Sequence, residues 1–144
     1  YQVLSAKDEK KARKLIEKLW EQNSQRQEIL KTLFEEIEKK VANDSSPIIF
    51  EGGEDFPYVL TGALASRVCK KFQKPTFIYT KGEKLARGSV RTPTKRINSV
   101  AVLESCSSLL EVYGGHPQAS GFTVKIENLE KLRECLEEYF LKNK

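Results

Sequence analysis

At 144 residues, with 39% hydrophobic and 31% charged side chains, the chain has the make-up of a soluble globular protein and is long enough for one compact α/β domain. No run approaches the roughly 18 apolar residues needed to cross a bilayer, and no basic, apolar, small-residue pattern of a signal peptide opens the sequence, so no membrane partner is expected and the expected location is cytoplasmic. The net charge of +5 is unevenly placed: residues 67–96 hold ten Lys/Arg against the single Glu83, which fits either a polyanionic partner or a solvated basic face.

The sequence opens on Tyr1 and contains no Met, and it is expected to be a piece of a longer polypeptide with a region N-terminal to it. Cys69, Cys106 and Cys135 are far apart and form no C-x-x-C pair, a pattern that predicts buried free thiols rather than a disulfide framework or a zinc site. Ser5 followed by Asp8 predicts a capping box and the start of a helix. Apolar residues then recur at helical spacing in two sets, Ala12 to Trp20 and Ile29 to Val41, with the polar stretch Glu21 to Glu28 between them and no Gly or Pro to stop the helix. One helix from Ala6 to Val41, about 55 Å long at 1.5 Å per residue, is predicted, its two apolar ends docking on different bodies; two shorter helices joined by a turn are the alternative.

Asn43 to Pro47 is rich in turn formers and marks the entry to the domain proper, so residues 1–46 read as a connecting helix and linker and 47–144 as the domain. Pro47 to Phe50 reads as a short buried strand broken by Gly52-Gly53, and Pro57 suits the first turn of a helix that carries Val59, Leu60, Ala63, Leu64, Val68 and Phe72 inward. Thr76 to Thr80 and Lys84 to Thr92 predict a hairpin. A helix is expected from about Ser99 to Tyr113, closed by Gly114-Gly115. Gly121 to Ile126 makes a last strand, and Asn128 to Leu141 a closing amphipathic helix. The predicted fold is α/β: a small mixed sheet covered by helices, β-α-β-β-α-β-α, preceded by a long N-terminal helix.

Two stretches carry chemistry. Alternation in the Lys84–Thr92 strand puts Arg87, Ser89 and Arg91 on one face and Ala86, Gly88 and Val90 on the other, with the two arginine backbones about 13 Å apart. Guanidinium is the side-chain group best shaped for bidentate phosphate contact, and with one acid in the surrounding thirty residues it has few local partners. Gly114-Gly115-His116-Pro117 is the second stretch: consecutive glycines allow backbone N–H groups to line an anion-binding concavity, to which His116 adds a donor. As the only histidine, it builds no metal site without carboxylate neighbours, and the same tetrapeptide also serves as a plain helix stop.

The segment Gly114 to Val124, Gly-Gly-His-Pro-Gln-Ala-Ser-Gly-Phe-Thr-Val, resembles the G-G-H-x-x-A-[AS]-G motif of the DHH-associated domain of RecJ-type exonucleases and oligonucleotide phosphodiesterases. Ala86 to Thr92 is similar to the G-S-G-R-S strand that precedes it, and Asn23 to Gln27, Ala65 to Cys69 and Pro75 to Thr80 resemble further segments in the same order. Alternation offers Arg87 as a phosphate contact, and the resemblance implies substrate or phosphate binding by Ser89, Arg91, Thr92, Gly114, Gly115 and His116. It implies no catalytic residue and no cofactor in this chain, with manganese or magnesium bound by Asp and His residues of a DHH domain N-terminal to the long helix. The implied function is the nucleic-acid-binding domain of a metal-dependent 5′-to-3′ exonuclease, with single-stranded nucleic acid and that DHH domain as partners. The alternatives are a substrate-binding domain of an oligoribonuclease or cyclic-dinucleotide phosphodiesterase, and a stand-alone RNA or single-stranded-DNA module. Two departures stand out: Asp55-Phe56-Pro57-Tyr58 where such sequences commonly carry Trp-His-Pro-Gly, and Val90 in place of a motif glycine.

Overall fold

The computed structural model describes residues 5–143. Helix α1 runs unbroken from Ala6 to Val41. The Ser5 hydroxyl accepts the Asp8 amide N–H and donates to the Asp8 carboxylate, satisfying one of the amides that a helix start leaves open. Its two halves differ. Leu30, Leu33, Ile37 and Val41 are buried, whereas Leu15, Ile16, Leu19 and Trp20 stand exposed.

The body is a five-stranded mixed sheet, β1 (Ile49–Gly53), β2 (Thr76–Lys81), β3 (Leu85–Arg91), β4 (Leu110–His116) and β5 (Ala119–Lys125), in the order β1-β2-β3-β5-β4. β1 and β2 are parallel and joined by a crossover through α2 (Thr61–Phe72); every other pairing is antiparallel. Helix α3 (Ser99–Ser105) and helix α4 (Leu129–Lys142) complete the chain. The sheet separates two cores. On one side Phe50, Phe77, Val90, Phe122 and Val124 pack with residues of α3 and α4; on the other Ile49 and Ile78 pack with α2 and the C-terminal half of α1. Strict alternation in β1 and β2 sends Ile49 and Ile78 one way and Phe50 and Phe77 the other.

Several local expectations change. The helix expected over Ser99–Tyr113 stops at Ser105, and residues 110–116 form the edge strand β4, so the order after α1 is β-α-β-β-α-β-β-α. Gly114 and Gly115 therefore lie within a strand and do not cap a helix. Gly52 and Gly53 end β1 rather than break it, because both pair with β2. Ahead of α2 the chain makes a separate 3-10 turn, Tyr58–Leu60, which leaves Val59 exposed, and Ala63 lies on the outer side of α2. Cys106 and Cys135 are not free thiols but a disulfide joining the end of α3 to α4, two segments 29 residues apart that pack on the same sheet face. Cys69 is free and buried, as the sequence suggests. Among the described residues no helix is long and apolar enough to cross a membrane.

Candidate functional site

Strand β3 places the expected side chains as its alternation requires. Ala86 and Val90 are fully buried on the α3/α4 side, and Arg87, Ser89 and Arg91 face the other way. Register then extends this face across the sheet in three rows, since directly paired residues share a face. Arg87 pairs with Thr123, which pairs with Val112; Ser89 with Gly121, which pairs with Gly114; Arg91 with Ala119, which pairs with His116. Arg91 and His116, 25 positions apart in sequence, thus stand in one row on one face with a single strand between them, about 10 Å apart at the usual strand spacing. His116 is exposed.

Helix α2 packs over β2 and β3, and Ala119, Thr123, Val112, Gly114 and His116 lie beyond it, half-buried or exposed. The middle row has a bare floor. A Cβ on Gly114 would meet nothing within 4 Å, and Gly114 does not have a positive φ, so neither packing nor conformation within the chain calls for glycine there. What the missing side chain leaves is open backbone that an external ligand can approach closely. Gly115 differs. Its φ is 135°, a conformation that L side chains rarely adopt, and an added Cβ would come within 2.7 Å of the Ala119 carbonyl oxygen. Its glycine is architectural.

Arg91 lies against α2. Its Nε donates to Ser66 Oγ at 3.2 Å and one terminal nitrogen donates to the Val90 carbonyl at 2.9 Å. The other terminal nitrogen lies where a Cβ on Gly62 would sit, 2.8 Å away, so Gly62 makes room for the guanidinium. Burial pushes the Arg91 pKa down from its ordinary value, yet no carboxylate among the described residues lies within 4.0 Å of Arg91 or Arg87. A half-buried cation with no counter-charge among the described residues is set up for an external anion. Next to it, Thr61 Oγ1 donates to the Tyr58 carbonyl and lies 2.8 Å from Ser89 Oγ. A hydroxyl has one proton, so the Ser89 hydroxyl donates to Thr61. Arg87 lies over the Tyr58 ring at 4.3 Å.

Thr92 lines the same shallow depression as Arg91 and Ser66. It is nine-tenths buried just past the end of β3, and its hydroxyl donates to the Thr94 carbonyl at 3.3 Å, so it shapes the following turn. The hairpin that carries His116 is held from α3: Ser99 Oγ donates to the His116 carbonyl and the Ser99 amide to the Pro117 carbonyl, while Asn98 caps the helix through the amides of Val100 and Ala101. Tyr58, Thr61, Gly62 and Ser66 were not singled out from the sequence as site residues. Only their placement beside β3 reveals them, although Tyr58, in place of a motif glycine, was legible as a departure.

Comparison with known proteins fits this layout. The family model of the DHHA1 domain matches residues 45–142. The chain belongs to the DHHA1 domain family. Among curated proteins, the chain is 28% identical over 142 residues to the single-stranded-DNA-specific exonuclease RecJ of Bacillus subtilis, covering 94% of the chain and 18% of that protein. It is 29% identical over 122 residues to the RecJ of Thermus thermophilus, covering 85% and 17%. The chain thus spans less than a fifth of the length of these relatives. A crystal structure of exonuclease RecJ bound to manganese superposes with a TM-score of 0.79 at 25% identity, covering 89% of this chain and 32% of that one. The C-Ala domain of Aquifex aeolicus alanyl-tRNA synthetase shares the fold at a TM-score of 0.56 and 14% identity, over 63% of this chain and 87% of that one. RecJ structures carry manganese or magnesium, but the described residues of this chain do not fit such an ion: no three His, Cys, Asp or Glu side chains among them are disposed to hold one.

Proposed function

We propose that this DHHA1 domain holds the phosphate backbone of a single-stranded nucleic acid for a RecJ-like, metal-dependent 5′-to-3′ exonuclease of the cytoplasm, and is not catalytic alone. The observation that carries the reading is Arg91: half-buried, without a carboxylate partner among the described residues, and aligned with Ser89 and Arg87 along an open face whose floor is the bare backbone of Gly114. Arg91 and Ser89 grip one phosphate, Arg87 the neighbouring segment, and His116 reaches the strand from the opposite rim. The metal, and the water it activates, belong to the DHH domain to which α1 leads; residues 1–46 form the connection and the exposed stripe Leu15, Ile16, Leu19 and Trp20 docks there. Relatives named for action on single-stranded DNA support that choice of ligand. Titration of a labelled single-stranded oligonucleotide by fluorescence anisotropy tests it. With two phosphates neutralised by Arg91 and Arg87, affinity should fall about sevenfold between 50 and 200 mM salt. Equal binding at both salt concentrations, or none at either, refutes the reading.

A further inference from the structure

Tyr58 is 46% exposed and Val59 76% exposed, side by side on a 3-10 turn at the rim of the open face. The turn is not a loose end. Phe56 and Leu60 on either side of it are buried at 6% and 7%, and the Leu60 amide donates to the Pro57 carbonyl. Two apolar side chains are thus held outward on a rigid base. The ring is also oriented, since the Arg87 guanidinium lies over it at 4.3 Å. Thr61 ties the turn to the anion-facing row, donating to the Tyr58 carbonyl at 2.8 Å and accepting the Ser89 hydroxyl at 2.8 Å. Arg87 and Ser89 are two residues apart on β3, about 7 Å, a spacing comparable to the length of one nucleotide.

A surface that only gathered phosphates would need cations and donors, and an exposed tyrosine ring beneath one of those cations adds nothing to phosphate affinity. The combination suits a flat aromatic ring, because bases stack on aromatic and guanidinium planes alike. We propose that Tyr58, positioned by Arg87, is a stacking platform for one unpaired nucleobase, adjacent to the phosphate held by Ser89 and Arg91. It selects a base-bearing single strand over a polyphosphate or a duplex, whose bases are covered. This inference rests on the nucleic-acid reading above.

The experiment compares a single-stranded oligonucleotide with an abasic strand of equal length and therefore equal charge, by anisotropy at fixed salt. The wild-type chain should prefer the base-bearing strand about tenfold or more. Tyr58→Ala and Tyr58→Leu should erase that preference by lowering affinity for the base-bearing strand to that for the abasic one, and Tyr58→Phe should retain it. A 2-aminopurine base in the strand should be quenched on binding to the wild type and not to Tyr58→Ala. Melting curves of all variants confirm the fold, and Tyr58→Leu keeps the apolar bulk if the alanine variant is unstable. Equal wild-type affinity for both strands, or a loss on both strands in the variants, overturns the stacking site while the steep salt dependence keeps the phosphate reading. Binding of neither strand by the wild type overturns both.

Discussion

The two faces of β3 and β5 set opposite chemistries on the same backbone. Toward α3 and α4 the strands present Ala86, Val90, Phe122 and Val124, all at 4% exposure or less, with the Phe122 ring stacked near Phe50 and tilted against Phe77. Toward α2 and beyond it they present Arg87, Ser89, Arg91, Gly121 and Thr123, with β4 adding Gly114 and His116. A strand repeats every two residues, so each parity can specialise without disturbing the other. Substitutions on one parity should therefore change stability and those on the other should change binding. The largest effect belongs to the closed face: Phe122→Ala should cost about 3–5 kcal/mol, because truncating a buried aromatic loses its transfer energy and leaves a cavity. Urea denaturation measures it. The division fails if Phe122→Ala unfolds at the wild-type midpoint.

The two adjacent glycines of β4 sharpen the comparison within a single dipeptide. Gly115→Ala puts a Cβ on a residue with a φ of 135° and within 2.7 Å of the Ala119 carbonyl oxygen, and should cost about 2–3 kcal/mol of stability. Gly114→Ala meets nothing within 4 Å, so its stability should hold or rise by up to about 1 kcal/mol through the less flexible unfolded chain. Its oligonucleotide affinity should nevertheless fall, since the new methyl occupies the approach to the strand. Thermal melts and anisotropy on the two variants give this crossed pattern. Equal loss of stability in both would mean that Gly114 is structural too.

Arg91→Ala inverts the behaviour expected of a buried side chain. Binding should weaken by about 1.5–3 kcal/mol, the range for a charge-assisted phosphate contact. Stability should stay within about 1 kcal/mol, because the hydrogen bonds to Ser66 and the Val90 carbonyl that are lost are offset by relief of a half-buried charge with no carboxylate partner among the described residues. Lys142→Ala is the control: its partner Glu138 lies 2.8 Å away on an exposed surface of α4, far in sequence from the open face, and binding should not change. Unfolding and binding measured on the same preparations separate the two quantities. A large loss of stability in Arg91→Ala would return that residue to the core.

The parity of β3 was readable because one side of the strand is buried and the other is polar, which leaves alternation in the sequence itself. β4 left no such trace. It is an edge strand whose residues are half-buried at most, so Leu109, Leu110 and Val112 simply continue the helical spacing of α3. Its strand character comes from pairing with β5, which local sequence does not encode. The Cys106–Cys135 bond was hidden for a related reason: its partners meet only when α3 and α4 pack on one sheet face. The shared row of Arg91 and His116 required the register of three strands. Tyr58, Thr61 and Gly62 became site residues only when α2 was seen against β3.

Helix α1 belongs to neither face along its first half, and this yields the smallest expected effect. Leu30, Leu33, Ile37 and Val41 are buried at 6% exposure or less, but Leu15, Ile16, Leu19 and Trp20 are 53–74% exposed in the chain by itself. Trp20→Ser removes a side chain that is 74% exposed, and the two residues have similar helix propensities, so stability should change by less than about 0.5 kcal/mol. Trp20 is the only tryptophan, which makes its emission a direct report of its surroundings. In the monomeric chain it should resemble indole in water. Fusion to an upstream DHH domain should shift it to the blue, and there the same substitution should become costly, because the indole would then fill an interface. A blue-shifted emission that persists at high dilution in a chain shown to be monomeric would place this stripe against its own domain, and would remove the reason for assigning it to a second one.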